Sequence, residues 1–278
     1  MFQFSDKHIE DYQQLGYTVF RGIVPPSLIE DLRRESDKGR DIAHAQDPNT
    51  QRFLPKVTEG VDLQPFTDFL ELSAIRDAVA RVLPSPVLES TVQGMFSVLI
   101  NPAEQPYCTQ WHRDWRDNIK ALDLDRWEAD YKDMDLFNQV NCALYEDSCT
   151  WVVPASHLRG DTSEEIAVFP ERPIPGPELE GKSGAERERL CLDYCQSLPG
   201  AERLLLDAGD YCLYRNSLWH LGNYIPYRKR ATLHEGVMTA KFKTWIDENL
   251  AVVNQRIQAG AEWENPNRRN AGPQLATV

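Results

Sequence analysis

Apolar and polar positions along the chain fall into two regimes. Up to about residue 83 the spacing is helical. Ile9, Tyr12 and Leu15 recur on one face of a first segment, which Ser5 can cap and Gly16 can stop; Asp6 and Glu10 suit its positive end. Tyr17 to Phe20 reads as a short strand. A second helix follows Pro25-Pro26, with Ser27 and Glu30 at capping-box spacing and Leu28, Ile29 and Leu32 on its apolar face. Residues 41–65 read as mostly irregular, and 67–83 as a helix ending before Pro84.

From about Val87 the pattern changes to strands. They cover Val92 to Ile100, Thr109 to Trp115, Val140 to Tyr145, Trp151 to Val153, Leu204 to Leu206, Tyr211 to Tyr214 and Ala231 to Thr239. Residues 119–133 read as a helical insert. A longer interruption spans 158–200. Its FPERPIPGPELEGKSG stretch is loop-like, and Ser183 with Glu186 opens a helix over 184–197. Such an insert is either a lid over a site or a tolerated surface excursion. A last amphipathic helix covers 244–259, closed by Gly260. Helices first and short strands after predict a mainly β fold, a jelly-roll or cupin-like core with N-terminal, inserted and C-terminal helices. One domain over 1–263 is expected: a helical buttress 1–86, a strand core 87–240 and the closing helix. The polar tail 264–278 is expected to be flexible.

Composition narrows the partners. Hydrophobic residues at 41% and charged residues at 26% suit a soluble globular enzyme. No apolar run approaches the roughly 18 residues of a membrane span. The polar, acidic start MFQFSDKHIEDYQQ matches no signal or transit peptide, so a cytoplasmic protein is expected. A formal net charge of −13 disfavours nucleic acid, because phosphate binding runs on Lys and Arg. The six cysteines contain no CxxC pair and read as free, mostly buried thiols. A small-molecule substrate is the expected partner, with the chain as a monomer or homodimer.

Candidate chemistry lies in Gln110-Trp111-His112-Arg113-Asp114-Trp115. On a strand, residues i and i+2 share a face, so His112 and Asp114 can reach one ion. His-x-Asp alone is a weak signal. It gains weight from His220, far downstream and preceded by the turn Gly209-Asp210 and the strand Tyr211 to Tyr214. Two histidines and a carboxylate form the facial set of non-haem iron oxygenases, with three metal positions left open. An oxoacid cosubstrate then needs a cation for its far carboxylate. Arg230, ten residues after His220 at the start of RATLHEGV, is favoured over Arg228 in the preceding turn.

With these residues in view, the chain resembles the phytanoyl-CoA dioxygenase family of 2-oxoglutarate oxygenases over about residues 8–240. The carriers are DYQQLGYTVFRGIVPPSLIEDLR, MFSVLIN, WHRDW, ALYEDSCTWVVPASH and AGDYCLYRNSLWH with RATLH. The resemblance implies a double-stranded β-helix, Fe(II) at His112, Asp114 and His220, and 2-oxoglutarate against Arg230, with dioxygen as co-reactant. It also implies Asn141 and Val98 as neighbours of the cosubstrate. Lys56 either corresponds to a family lysine near it or is a solvated charge. A serine common in the family two residues after the distal histidine is Gly222 here, and Thr232 is the candidate replacement. Trp115 and Tyr145 are candidate substrate-wall residues; His234 lines a pocket or belongs to the core. A zinc hydrolase built on the same three ligands and a catalytically silent cupin-like binding protein are the alternatives.

Overall fold

The computed structural model describes residues 2–93 and 95–264. The chain runs through α1 (Asp6–Leu15), β1 (Tyr17–Phe20), α2 (Pro26–Gln46), β2 (Arg52–Phe53), α3 (Gln64–Leu70), α4 (Ser73–Val82), β3 (Pro86–Val87), β4 (Ser97–Ile100) and β5 (Tyr107–Cys108). It continues through α5 (Leu124–Asp130), β6 (Asn138–Ala143), β7 (Thr150–Val152), α6 (Ser163–Val168), α7 (Gly184–Cys195) and β8 (Glu202–Arg203). It ends with β9 (Tyr211–Arg215), β10 (His220–Tyr224), β11 (Ala231–Gly236), β12 (Met238–Thr239) and α8 (Ala240–Gln258). No helix among the described residues is long and apolar enough to cross a membrane.

Two antiparallel sheets face one another as a cupin-like jelly roll without a closed barrel. The larger has the order β1-β9-β6-β11-β4-β2 and the smaller β5-β10-β7-β8. Strand alternation divides the larger sheet's side chains. Val98, Ile100, Val140, Cys142, Leu213 and Leu233 point outward and are buried against the N-terminal helices. Ala143, Cys212 and Tyr214 point inward and pack with Val152 of the smaller sheet. Each buried aliphatic side chain contributes on the order of 1.5–3 kcal/mol. The smaller sheet has its own cover: Cys191 and Cys195 of α7, with Phe169 and Ile174, bury Cys108, Trp151, Trp219 and Leu221. The 158–200 insert is therefore a buttress, doing for the small sheet what α1–α4 do for the large one. A third cluster closes one end, where Phe242 and Trp245 of α8 meet Trp127, Tyr131 and Phe137.

Several predicted boundaries move. The second helix starts at Pro26, so Ser27 and Glu30 lie inside it, and it runs on to Gln46. Residues 52–53 pair with β4, so the stretch read as irregular contributes an edge strand. The 67–83 helix is two helices broken at Glu71-Leu72. Only Ser97–Ile100 of the 92–100 run pairs as a strand. The 119–133 insert forms one short helix, α5, capped by Asp123, whose side chain accepts from the Arg126 N–H. The 109–115 run is not a strand: His112 forms a single bridge to His220, and the chain then turns. The strand β10, which carries His220, was not legible because Gly222 and Asn223 interrupt its apolar pattern. Of the tail expected to be flexible, residues 265–278 lie outside the described residues.

Candidate metal centre

The centre is assembled by a bridge and a turn. His112 and His220 exchange backbone hydrogen bonds of 3.1 and 3.0 Å, which sets their rings side by side with centroids 4.2 Å apart. His112 Nδ1 lies 2.7 Å from the Gln110 carbonyl and His220 Nδ1 lies 3.0 Å from the Leu218 carbonyl. A carbonyl only accepts, so each Nδ1 carries the proton and each Nε2 keeps a free lone pair. Those Nε2 atoms stand 3.4 and 4.0 Å from the two oxygens of Asp114. All three ligand atoms lie within 4.8 Å of one another, and among the described residues no other group of histidines, cysteines and carboxylates does this. Asp114 reaches the site from the turn: its N–H donates to the Asn216 carbonyl at 2.8 Å, and Trp115 follows with φ +69°. Asn118 Nδ2 donates to Asp114 Oδ1 at 2.8 Å and orients the carboxylate.

Electrostatics match a dication. Burial pushes the His220 imidazole down to about 4, helped by neighbouring His112, so it is neutral at pH 7. Burial alone would raise the Asp114 carboxyl, but His112, His220 and Asn118 outweigh it and hold it well below the usual carboxylate range. His112 differs: burial lowers its imidazole, but the adjacent Asp114 carboxylate outweighs burial and raises it above its ordinary value, so a metal ion there competes with a proton. With that proton displaced, two imidazole nitrogens and one anionic oxygen suit Fe(II).

Behind the ligands lies a buried ion cluster. Asp161 accepts from Arg113 Nε at 3.2 Å, Arg116 Nη1 at 2.8 Å and Arg172 Nη2 at 3.2 Å. Asp117 takes Arg116 Nη2 at 2.9 Å and Arg172 Nε at 2.6 Å. All three guanidiniums lie over the Trp219 indole, 4.8 to 5.6 Å from its centroid. Arg113 Nη1 also donates to the carbonyls of Ser156 and Ser217. The cluster thus ties the insert to the residues flanking His112, Asp114 and His220.

A cleft of about 440 Å³ between the sheets holds the three ligands. Arg230, Asn141, His234 and Trp115 also line it. Arg230 is buried; its Nε donates to Asp147 Oδ2 at 2.9 Å, while its Nη1 has no partner among the described residues. Asn141 Nδ2 donates to Thr150 Oγ1 at 3.0 Å, and His234 Nδ1 donates to Asn141 Oδ1 at 2.8 Å. His234 Nε2 in turn accepts from Gln139 Nε2 at 2.6 Å, and burial pushes this imidazole down to about 3. Trp115 meets Trp245 edge-on at 5.1 Å, so α8 braces that wall.

Four expected site residues stand elsewhere. Val98 faces the helical core, because the inward parity of β4 belongs to Leu99, which does line the cleft. Lys56 is exposed on a short 3-10 turn, outside the cleft wall. Thr232 spends its hydroxyl proton on Asp147 Oδ2 at 2.6 Å and is not part of the wall. Tyr145 lies on the outer side, donating to Asp37 Oδ2 at 2.9 Å beside Lys229. The competitor Arg228 pairs with Glu146 at 2.5 Å, also outside this cleft.

No family model and no curated protein sequence matches the chain. Solved structures do share its fold. One is AviO1 from Streptomyces viridochromogenes Tue57, at 13% identity and TM-score 0.53, covering 84% of this chain and 94% of that one. Another is the epimerase SnoN in complex with Fe3+, alpha ketoglutarate and nogalamycin RO, at 14% identity and TM-score 0.53, covering 84% and 83%. A third is HygX from Streptomyces hygroscopicus with nickel and 2-oxoglutarate bound, at 14% identity and TM-score 0.53, covering 86% and 88%.

Other cleft residues, Gly222 excepted, are given no place in the site by the sequence. Arg52 enters from edge strand β2, Thr150, Gly222 and Tyr224 come from the small sheet, and Thr109 directly follows β5. Inward parity on β10, shared by His220, Gly222 and Tyr224, would have found Tyr224. Arg52 was hidden because a two-residue strand leaves no period to read.

Proposed function

We propose that this chain is a non-haem Fe(II)- and 2-oxoglutarate-dependent dioxygenase that hydroxylates a small molecule, with the phytanoyl-CoA dioxygenase family as its nearest type. The observation that carries the proposal is the pairing of two groups in one cleft. Two Nε2 atoms and one carboxylate converge to within 4.8 Å of one another, and Arg230, which lines the same cleft, keeps a buried Nη1 without a partner among the described residues. A zinc hydrolase requires only the first of these groups. Solved neighbours that hold Fe3+ with alpha ketoglutarate, or nickel with 2-oxoglutarate, support the same reading.

His112, Asp114 and His220 would hold the iron, and their one-sided arrangement leaves its opposite face to ligands. Fe(II) with 2-oxoglutarate supplies dioxygen activation, coupling decarboxylation to succinate with oxidation of an unactivated C–H bond. Arg230 binds the far carboxylate through the terminal nitrogens that Asp147 leaves free. Asp147 and Thr232 keep that guanidinium in place. Asn141 and the neutral His234 give the inner wall hydrogen-bonding groups without net charge. Trp115, Phe242 and Ile246 form an apolar wall that excludes water and receives the substrate.

Anaerobic addition of Fe(II) and then 2-oxoglutarate tests this. A visible metal-to-oxoacid charge-transfer band is expected, absent from His112→Ala and His220→Ala, followed by succinate release on aeration with substrate. A folded, iron-loaded protein that shows no band sinks the proposal and favours zinc hydrolysis or silent binding.

A further inference from the structure

Gly222 stands on β10 two residues after His220 and shares the inward face with it. Its backbone has no left-handed φ, so conformation does not demand glycine there. Space does. A Cβ at this position would lie 2.7 Å from Tyr224 Cε2, 2.8 Å from Tyr224 Oη and 3.0 Å from Tyr224 Cζ. The Tyr224 phenol therefore occupies the volume that a side chain at 222 would fill.

The phenol is held in that volume. Tyr224 pairs in register with Tyr107 of β5, with ring centroids 6.1 Å apart, and the ring is buried. On its other side the Arg230 guanidinium carbon lies 4.8 Å from the ring centroid. Both residues line the metal cleft. The Tyr224 hydroxyl makes no hydrogen bond among the described residues, and Arg230 Nη1 is buried without a partner among them. Two unused donors, one cationic and one neutral, thus stand together at the same end of the cleft. Thr232 does not compete for this role, because its proton goes to Asp147.

We infer that the Tyr224 hydroxyl donates the second hydrogen bond to the far carboxylate of 2-oxoglutarate, beside Arg230, and that Gly222 is glycine in order to seat this phenol. This rests on the function proposed above and adds a cosubstrate-binding residue to it. A phenol rooted two residues further along the strand takes the place of a hydroxyl rooted at 222.

The test is anaerobic titration of the Fe(II)-loaded protein, reading dissociation constants from the charge-transfer band and, independently, from calorimetry. Two oxoacids are compared: 2-oxoglutarate, and 2-oxobutyrate, which chelates alike but lacks the far carboxylate. Tyr224→Phe keeps the ring, the stack on Arg230 and the glycine seat while deleting the hydroxyl. It should weaken 2-oxoglutarate on the order of 10- to 100-fold, the range for a hydrogen bond to a charged group, and leave 2-oxobutyrate unchanged. Gly222→Ala should weaken 2-oxoglutarate as well, by displacing the phenol without deleting it. Gly222→Ser combined with Tyr224→Ala should bind 2-oxoglutarate more tightly than Tyr224→Ala alone. Equal affinity of wild type and Tyr224→Phe for 2-oxoglutarate would overturn the inference alone, as would equal weakening of both oxoacids, which marks a general loosening of the site. Failure of wild type to bind 2-oxoglutarate would overturn the dioxygenase reading itself.

Discussion

Asp161→Asn removes one charge from the buried cluster behind the candidate metal ligands while keeping the side chain's shape. Three arginines and two aspartates meet there, and Asp161 alone accepts from all three guanidiniums. The variant leaves Asp117 facing three cations, none of which can reach water. Burial pushes the Asp161 carboxyl up, but Arg116, Arg113 and Arg172 outweigh it and bring it from 3.8 down to about 2. That difference alone corresponds to roughly 2 kcal/mol of stability from the ionised form. Stranded charge adds to it: breaking a buried ion set by removing one partner costs about 3–5 kcal/mol. A loss of about 3 kcal/mol is therefore expected, a large part of the ~5–15 kcal/mol of a typical domain. Urea unfolding monitored by tryptophan fluorescence measures it. The pH dependence supplies a second signature. A depressed folded-state carboxyl contributes stability that is present above pH 3.8 and lost as pH falls through about 2. Wild type should show that loss and the variant should lack this component. A destabilisation below about 1 kcal/mol, or identical acid profiles, would refute the claim that charge pairing holds the insert against the metal site.

Two further outcomes concern the contact between α1 and the 153–157 turn. Gly16 has φ +87°, and a Cβ there would lie 2.5 Å from His157 Nδ1 and 2.9 Å from Leu218 Cδ2. Gly16→Ala should cost about 2–4 kcal/mol in urea unfolding, whereas Gly22→Ala, left-handed at φ +59° but with open space around it, should cost about 1–2 kcal/mol from backbone strain alone. Equal costs would contradict the steric reading. His157 is fully buried and its Nε2 donates to the Gln13 carbonyl at 3.1 Å; burial pushes the imidazole from 6.5 down to about 4. The folded protein excludes a proton that the unfolded chain binds, so stability is full above pH 6.5 and falls as pH drops towards 4, by up to about 3 kcal/mol. His157→Gln should flatten this stretch of the stability-against-pH curve; an unchanged slope would count against the assignment.

The candidate metal cluster was legible in the sequence although part of the supporting reason was not. His112 and Asp114 were paired through strand alternation, yet the structure joins them by one bridge to His220 and a turn with left-handed Trp115. The spacing survived because both routes bring residues i and i+2 to one side. The resemblance put Asn141 and Val98 side by side near the cosubstrate; Asn141 lines the cleft, whereas Val98 is one residue out of phase with Leu99. Both β4 neighbours are buried and apolar, and alternation carries no sign when both faces of a strand are covered.

What the chain determines by itself is local and periodic: helices before strands, the jelly-roll order of short strands, the His-x-Asp pair with its distal histidine, and an arginine opening the strand after it. These depend on residue type and near-neighbour spacing, which a linear reading can see. Tertiary structure alone decided which donors are free and which are spent. Thr232 and Arg230 Nε are engaged by Asp147, Tyr145 by Asp37, and Tyr224 fills the seat that Gly222 vacates. It also made the 158–200 insert a buttress, through apolar contacts and the ion pairs of Asp161 with Arg113 and Arg116 and of Arg172 with Asp117. Such outcomes are settled by competition for hydrogen-bond partners and volume among residues far apart in sequence. No local pattern encodes the result, because each group's role depends on what its distant neighbours leave unsatisfied.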